Sequence, residues 1–225
     1  MGSARPLPIE PPTTGWQFPV IDDVEPEGLV AMGADLQPGT LLEAYRNGYF
    51  PMPVSTTAMG WWSPDPRGVI EVANHHVGRT LRRSMRGFEV TINRRFAEVM
   101  GACGDPTRPH GWITDDICDA YVTLHQMGWA HSVEILESGR LVGGLYGIGI
   151  GAFFAGESMF HHRTNASKAA VAVLVDLLRP HHALFDVQWT TPHLETLGAI
   201  DMDRSTYLGR LAVATAAPGP AWPDP

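Results

Sequence analysis

The stretch from Ala166 to Arg179 constrains the fold more than any other, because it is apolar on nearly all sides and stops at a proline. Ala169, Val171, Ala172, Val173, Leu174, Val175, Leu177 and Leu178 leave it little polar surface, so it reads as a buried helix, and Pro180 forbids its continuation. The preceding chain repeats at strand period. His131–Leu136 and Leu141–Ile150 form a hairpin through the turn at Ser138 and Gly139, and Ala152–Phe160 adds a third strand. Leu184–Trp189 then supplies another strand and Pro192–Leu197 a further helix.

Meander, buried helix, strand and helix in that order predict an α/β (α+β) protein. A domain over residues 71–213 should have the architecture of the GCN5-related N-acetyltransferases, the acyl-CoA N-acyltransferase fold. Architecture alone names no reaction. Upstream, Pro38 starts a short helix over Thr40–Asn47 with Gly48 as its left-handed stop, and Pro-rich irregular chain is expected from Phe50 to Pro66. This section, residues 16–70, reads as a small N-terminal subdomain. Thr114 with Asp115 and Asp116 opens a helix whose apolar face is Ile117, Tyr121, Leu124 and Met127, and Gly128 ends it. Residues 1–15 and 214–225, rich in Pro, Ala and Gly, are expected to be loose tails.

A chain of 225 residues with 44% apolar and 18% charged residues buries a real core, which excludes a disordered protein. No apolar run approaches the roughly 20 residues that span a bilayer, and the opening residues lack a signal-peptide core, so a cytoplasmic location without membrane contact is expected. Cys103 and Cys118, without a CxxC or HxxxH neighbour, argue for a reducing compartment and against a structural metal. The His pairs at 75 and 76, 161 and 162, and 181 and 182 lack zinc-helix spacing, and no metal is expected. Net charge is −8, yet Arg79, Arg82, Arg83, Arg86, Arg94 and Arg95 are opposed between His75 and Arg95 by Glu89 alone. Either this is a solvated helix face or it is a phosphate-binding patch.

Asp186 and Gln188 lie two apart on a predicted strand and are expected to share a face, with Phe185 and Val187 packed on the other. Glu157, between Gly156 and Ser158, places a carboxylate where an apolar strand predicts a core residue. Each is either a satisfied interior polar group or part of a site. No glycine lies between Glu157 and Ala166, where acetyltransferases of this architecture cradle the coenzyme A pyrophosphate, so coenzyme A is a poor fit. Cys103 has no evident base and is not expected to be a nucleophile.

The motifs resemble the bacterial leucyl/phenylalanyl-tRNA-protein transferases from Asp22 to Leu208. The resemblance rests on Gly33, Asp35 and Leu36, on Ala44 to Arg46 with Gly48, and on WWSPDPR at Trp61–Arg67. It continues through Trp112–Thr114, His131–Glu134, LVGGLYG at Leu141–Gly147, GESMF at Gly156–Phe160, Ala166–Lys168, and Asp186 with Gln188. The resemblance implies transfer of Leu, Phe or Met from aminoacyl-tRNA to proteins beginning with Arg or Lys, feeding N-end-rule degradation, by a monomer without cofactor. It assigns Gln188 to hydrogen-bond the attacking amine and Asp186 to orient it. Glu157, Ser158, Leu145, Phe154, Leu174 and Phe185 are implied in substrate binding, the apolar members shaping the cavity for the transferred side chain. Arg79, Arg82, Arg83 and Arg86 would hold tRNA phosphates. Met52 stands where many relatives carry Trp, so Tyr49, Trp61 or Trp112 are the candidates to stack the terminal adenine. The rival readings are an acetyl coenzyme A-dependent N-acetyltransferase and a tRNA-docking module without turnover.

Overall fold

In the computed structural model of the protein, residues 8–21, 27–55, 58–108 and 111–223 are described. The hairpin forms where its turn requires it. Strands β6 (Ala130–Glu137) and β7 (Arg140–Ile150) meet at Ser138 and Gly139, whose φ values of 52° and 74° give the left-handed pair that matches the twist of a two-residue hairpin. β8 (Phe153–His161) continues the meander, and α5 (Ala166–Leu178) returns the chain so that β9 (Leu184–Gln188) pairs parallel to β8. The buried helix and its order in the chain are as expected. α5 sits so close to the sheet that a Cβ on Gly143 would lie 2.5 Å from the Ala166 methyl.

The central sheet has the order β10-β4-β9-β8-β7-β6-β5, with β4 at Arg67–Ile70, β5 at Glu89–Ile92 and β10 at Ala199–Met202. One face is covered by α5. The other carries α1 (Pro38–Arg46), α3 (Phe96–Cys103), α4 (Asp115–Met127) and α7 (Arg204–Ala216) around a second apolar cluster. α4 starts as its sequence demands: Thr114 Oγ1 accepts from the Ile117 N–H, two acids occupy the first turn, and Gly128 at φ 90° closes the helix. Two shorter helices, α2 (Arg79–Met85) and α6 (Pro192–Glu195), lie at the surface.

Three expectations change. The section from Phe50 to Pro66 is not irregular throughout: β2 (Phe50–Ser55) and β3 (Ala58–Trp62) pair antiparallel and are joined by β1 (Leu29–Met32) in the order β1-β3-β2. Its prolines, Pro51 and Pro53, lie on the edge strand, where a missing N–H is tolerated. Secondly, β4 falls within residues 16–70 but pairs with β9 and β10, so the small subdomain gives its last strand to the large sheet. Thirdly, the tails pack. Trp222 stacks on His131 at 4.0 Å, Pro223 O accepts from Asn93 Nδ2, and Ile9 exchanges hydrogen bonds with Met127 and Trp129. Proline and alanine remove backbone freedom and polarity, and here that composition lies against the domain. Residues 1–7 and 224–225 of those tails lie outside the described residues.

Candidate active site at the parting of two parallel strands

β8 and β9 pair only from Phe153–Leu184 to Ala155–Asp186, although β8 runs on to His161. Where they part, a cavity of about 120 Å³ opens. Ile70, Leu145, Met159, Val171, Phe185, Val187 and Leu194 give it apolar walls, and Gly156, Glu157, Ser158 and Gln188 line it at the parting. Gly156 is required there, since a Cβ would meet Phe185 Cε2 at 2.9 Å.

Asp186 lies beside this cavity at the base of a buried charge network. Arg67 forks onto it, Nε to Oδ1 at 2.9 Å and Nη2 to Oδ2 at 2.6 Å, with the two residues 1% and 0% exposed. Tyr207 Oη donates to Oδ2 and the Gln188 backbone N–H to Oδ1, both at 2.9 Å. Burial opposes the Arg67 charge, but the Asp186 carboxylate outweighs it and holds the guanidinium protonated above its ordinary range. Arg67 also lies over the Phe50 and Tyr207 rings. The Gln188 backbone turns to φ 62°, and its side-chain Nε2 is buried without a partner.

This corrects the shared-face expectation. Four donors occupy the Asp186 carboxylate, and Gln188 supplies a backbone donor to it instead of an amide. The left-handed turn ends the strand alternation, so Gln188 joins Phe185 and Val187 at the cavity.

Glu157 is held from the opposite side. Tyr121 Oη donates to its Oε2 at 3.1 Å, the Tyr45 hydroxyl is bonded to that of Tyr121, and Glu157 Oε1 is buried without a partner. Burial, with the Asp186 charge adding to it, raises this carboxyl to about 8 against the hydrogen bonds from Tyr45 and Tyr121. Burial pushes Tyr45, Tyr121 and Tyr207 well above the ordinary phenol range, so all remain donors.

Of the residues singled out from sequence, Leu145, Glu157, Ser158, Phe185 and Gln188 meet at the cavity. Phe154 and Leu174 are fully buried behind it, Phe154 edge-on to Phe185 at 5.8 Å. The aromatic candidates do not reach it. Trp61 is 1% exposed with Nε1 donating to Gly33 O, Tyr49 is buried with its hydroxyl donating to Pro19 O, and Trp112 is half-buried against the same core. Core packing, which aromatics of a small subdomain supply best, occupies the Trp61 and Tyr49 rings. Arg79, Arg82 and Arg83 are exposed on α2 and Arg86 at its end, and among the described residues no carboxylate pairs with these four. Cys103 is buried and its thiol pushed up to about 11 by burial, unsuited to a nucleophile. No group of three or more His, Cys, Asp or Glu among the described residues forms a metal site.

Sequence reasoning assigned no role to Arg67, Tyr207, Tyr121 or Tyr45, nor to the cavity walls Ile70, Met159, Val171 and Leu194. Arg67 did carry a signal: an arginine set between the aromatic and proline run Trp61–Pro66 and the apolar Val69 and Ile70 needs a buried partner.

Comparison with known proteins gives the following. A family profile described as Leucyl/phenylalanyl-tRNA protein transferase matches residues 69–212, and its N-terminal domain profile matches residues 34–65. The chain is 47% identical over 199 residues to the leucyl/phenylalanyl-tRNA–protein transferase of Pseudoalteromonas atlantica, covering 86% of this chain and 85% of that one. It is 46% identical over 212 residues to that of Stutzerimonas stutzeri, covering 91% and 93%. Among solved structures it is similar to a GCN5-related N-acetyltransferase-like protein from Streptococcus suis, at 15% identity and a TM-score of 0.35 over 74% of this chain and 65% of that one.

Proposed function

The chain belongs to the leucyl/phenylalanyl-tRNA–protein transferase family, aminoacyltransferases that use aminoacyl-tRNA, and from that premise we propose its donors, acceptors and chemistry. It moves Leu, Phe or Met from the tRNA ester to the α-amine of cytoplasmic proteins beginning with Arg or Lys, marks them for N-end-rule degradation, and works as a monomer without cofactor. The observation that carries this reading is Gln188 at a small apolar cavity, its side-chain Nε2 buried without a partner. A space of about 120 Å³ walled by Leu145, Met159, Val171 and Phe185 suits a single apolar side chain that is not branched at its β-carbon.

The ester is already activated, so the enzyme mainly holds a neutral amine against its carbonyl. An α-amine has a pKa of about 7.7–8.0, and a useful fraction is neutral at cellular pH. The side-chain carbonyl of Gln188 accepts a hydrogen bond from that amine, and Asp186 sets the position of Gln188 through its backbone. Asp186 is a positioning residue in this reading, because Arg67 neutralises its charge. The arginines of α2 hold phosphates near the acceptor end of the tRNA.

The test is transfer of labelled amino acid from each charged tRNA to model proteins that differ only in the first residue. Leu-, Phe- and Met-tRNA should donate and Val- and Ile-tRNA should not, with Arg and Lys termini accepting. Equal transfer to Arg-, Lys- and Ala-initiated acceptors would contradict the acceptor assignment, and efficient transfer of Ile the cavity assignment.

A further inference from the structure

Glu157 occupies a β-bulge. Between β7 and β8 the register steps from Tyr146 opposite Ser158 to Gly147 opposite Gly156, leaving Glu157 without a residue across the strand. A bulge breaks alternation and re-aims a side chain. Here it brings the Glu157 carboxyl beneath α1 and α4, against the hydroxyls of Tyr45 and Tyr121.

The polarity of that chain follows from counting protons. Tyr121 spends its proton on Glu157 Oε2, so Tyr45 supplies the proton between the two hydroxyls. Oε2 is therefore an acceptor, and Oε1 is the buried oxygen without a partner in the protein. The charged and titratable groups around the carboxyl are Tyr45 on α1, Tyr121 on α4, Tyr146 on β7, Arg67 on β4, Asp186 on β9 and Tyr207 on α7. Arg67, the cation that acts on Glu157 among the described residues, is bound through both arms of its fork to Asp186 and makes no hydrogen bond to the second carboxyl. An ionised Glu157 would be a buried anion held by the hydroxyls of Tyr121 and Tyr45 alone, whereas a neutral one keeps Oε2 as acceptor and carries its proton on Oε1. Burial accordingly keeps the proton on this group to about 8.

We propose that Glu157 is the proton shuttle of the transfer reaction, giving its Oε1 proton to the leaving ribose oxygen and taking one back from the attacking nitrogen. The inference rests on the functional reading above. The amine nitrogen bonds to the ester carbonyl carbon, and the bond from that carbon to the ribose oxygen breaks. Its electron pair stays on the oxygen, which receives the Glu157 proton and leaves as a hydroxyl. The carboxylate then removes the surplus proton from the new amide nitrogen, so Glu157 ends neutral and no other proton source is required. Tyr121 and Tyr45 touch no substrate and are positioning residues that fix which oxygen carries the proton.

The experiment measures single-turnover transfer from saturating Phe-tRNA to an Arg-initiated protein from pH 6 to 9.5, for wild type, E157Q and Y121F, with the infrared carboxylic-acid band recorded for each. Ionisation of the acceptor amine shapes all three profiles alike. Wild type should lose rate above about pH 8 and show a neutral-carboxyl band at pH 7 that E157Q lacks. E157Q should be slower by about 10²–10⁴ and lack the alkaline fall. Y121F removes a hydrogen bond that favours the carboxylate and leaves the proton free to sit on either oxygen, so its alkaline fall should move to higher pH and its plateau rate should lie below wild type but above E157Q. It also keeps the proposal testable should E157Q not fold. E157Q with the wild-type rate, E157Q slowed but with an unchanged pH profile, an unmoved Y121F profile, or wild type without the band would each overturn the shuttle. Wild type inert toward every charged tRNA would instead overturn the functional reading and the shuttle with it.

Discussion

Asp186 holds Gln188 by its backbone: Oδ1 accepts the Gln188 N–H at 2.9 Å while the side-chain Nε2 of Gln188 finds no partner in the protein. The carboxylate thereby supports the left-handed turn at φ 62° that brings Gln188 to the cavity, and Arg67 and Tyr207 hold the carboxylate in turn. Structural and chemical roles are divided between the two residues, which makes them separable by mutation.

Asp186→Ala should destabilise the protein by about 3–5 kcal/mol, because it strands the buried Arg67 guanidinium. Urea denaturation measures this. Arg67→Met combined with Asp186→Leu, which removes both charges and keeps volume, should recover much of the loss. A double variant as unstable as the two single changes summed would contradict the ion-pair account.

Val171→Phe should fill the cavity from the α5 side. Transfer of Phe is expected to fall at least about tenfold, with Leu affected less, since one or two methylenes in an apolar pocket are worth about 1–3 kcal/mol. KM and kcat for the three charged tRNAs give the comparison. Equal effects on all donors would place the transferred side chain elsewhere.

Charge reversal on α2 tests the tRNA surface. Arg82→Glu with Arg83→Glu should weaken aminoacyl-tRNA binding and flatten its dependence on salt by roughly 0.7–0.9 log units per decade for each phosphate that is no longer neutralised. Binding titrations between 50 mM and 200 mM salt measure both. A variant with the wild-type salt slope would return the cluster to a merely solvated face.

Stability should fall as pH rises through the neutral range. Glu157 keeps its proton to about 8 when folded but has an ordinary value of 4.5, so between those limits the folded chain binds the extra proton. The contribution is fully present below about 4.5 and lost as pH rises through about 8, at up to about 1.4 kcal/mol per pH unit. Urea midpoints from pH 5 to 8 should decline more steeply for wild type than for Glu157→Gln. Parallel slopes would mean that Glu157 is ionised in the folded protein.

Much of the large sheet could be read from the chain, because periodicity and turn chemistry agree there. The Ser138–Gly139 turn, the Thr114 cap and the apolar run of α5 each carry a local cause. β4 and β10, four residues each, are too short for a period, and their pairing is decided by distant partners. The prolines of β2 mask an edge strand for the same reason.

The site was legible in its polar members and hidden in its supports. Glu157, Asp186 and Gln188 stand out because they interrupt apolar strands, as does the arginine run of α2. Arg67 lies 119 residues from Asp186 and Tyr121 lies 36 from Glu157, and no local pattern joins them. Nor does strand alternation reveal the bulge at Glu157 or the turn at Gln188, which are the two places where the chain departs from its period to serve the cavity.

Gln188→Met tests the central claim most directly, since it keeps length and volume and removes only the amide. With urea stability matched to wild type, transfer of Phe from its tRNA to an Arg-initiated protein should fall about 10²-fold or more, with tRNA affinity unchanged. A Gln188→Met protein that transfers at the wild-type rate would contradict the account.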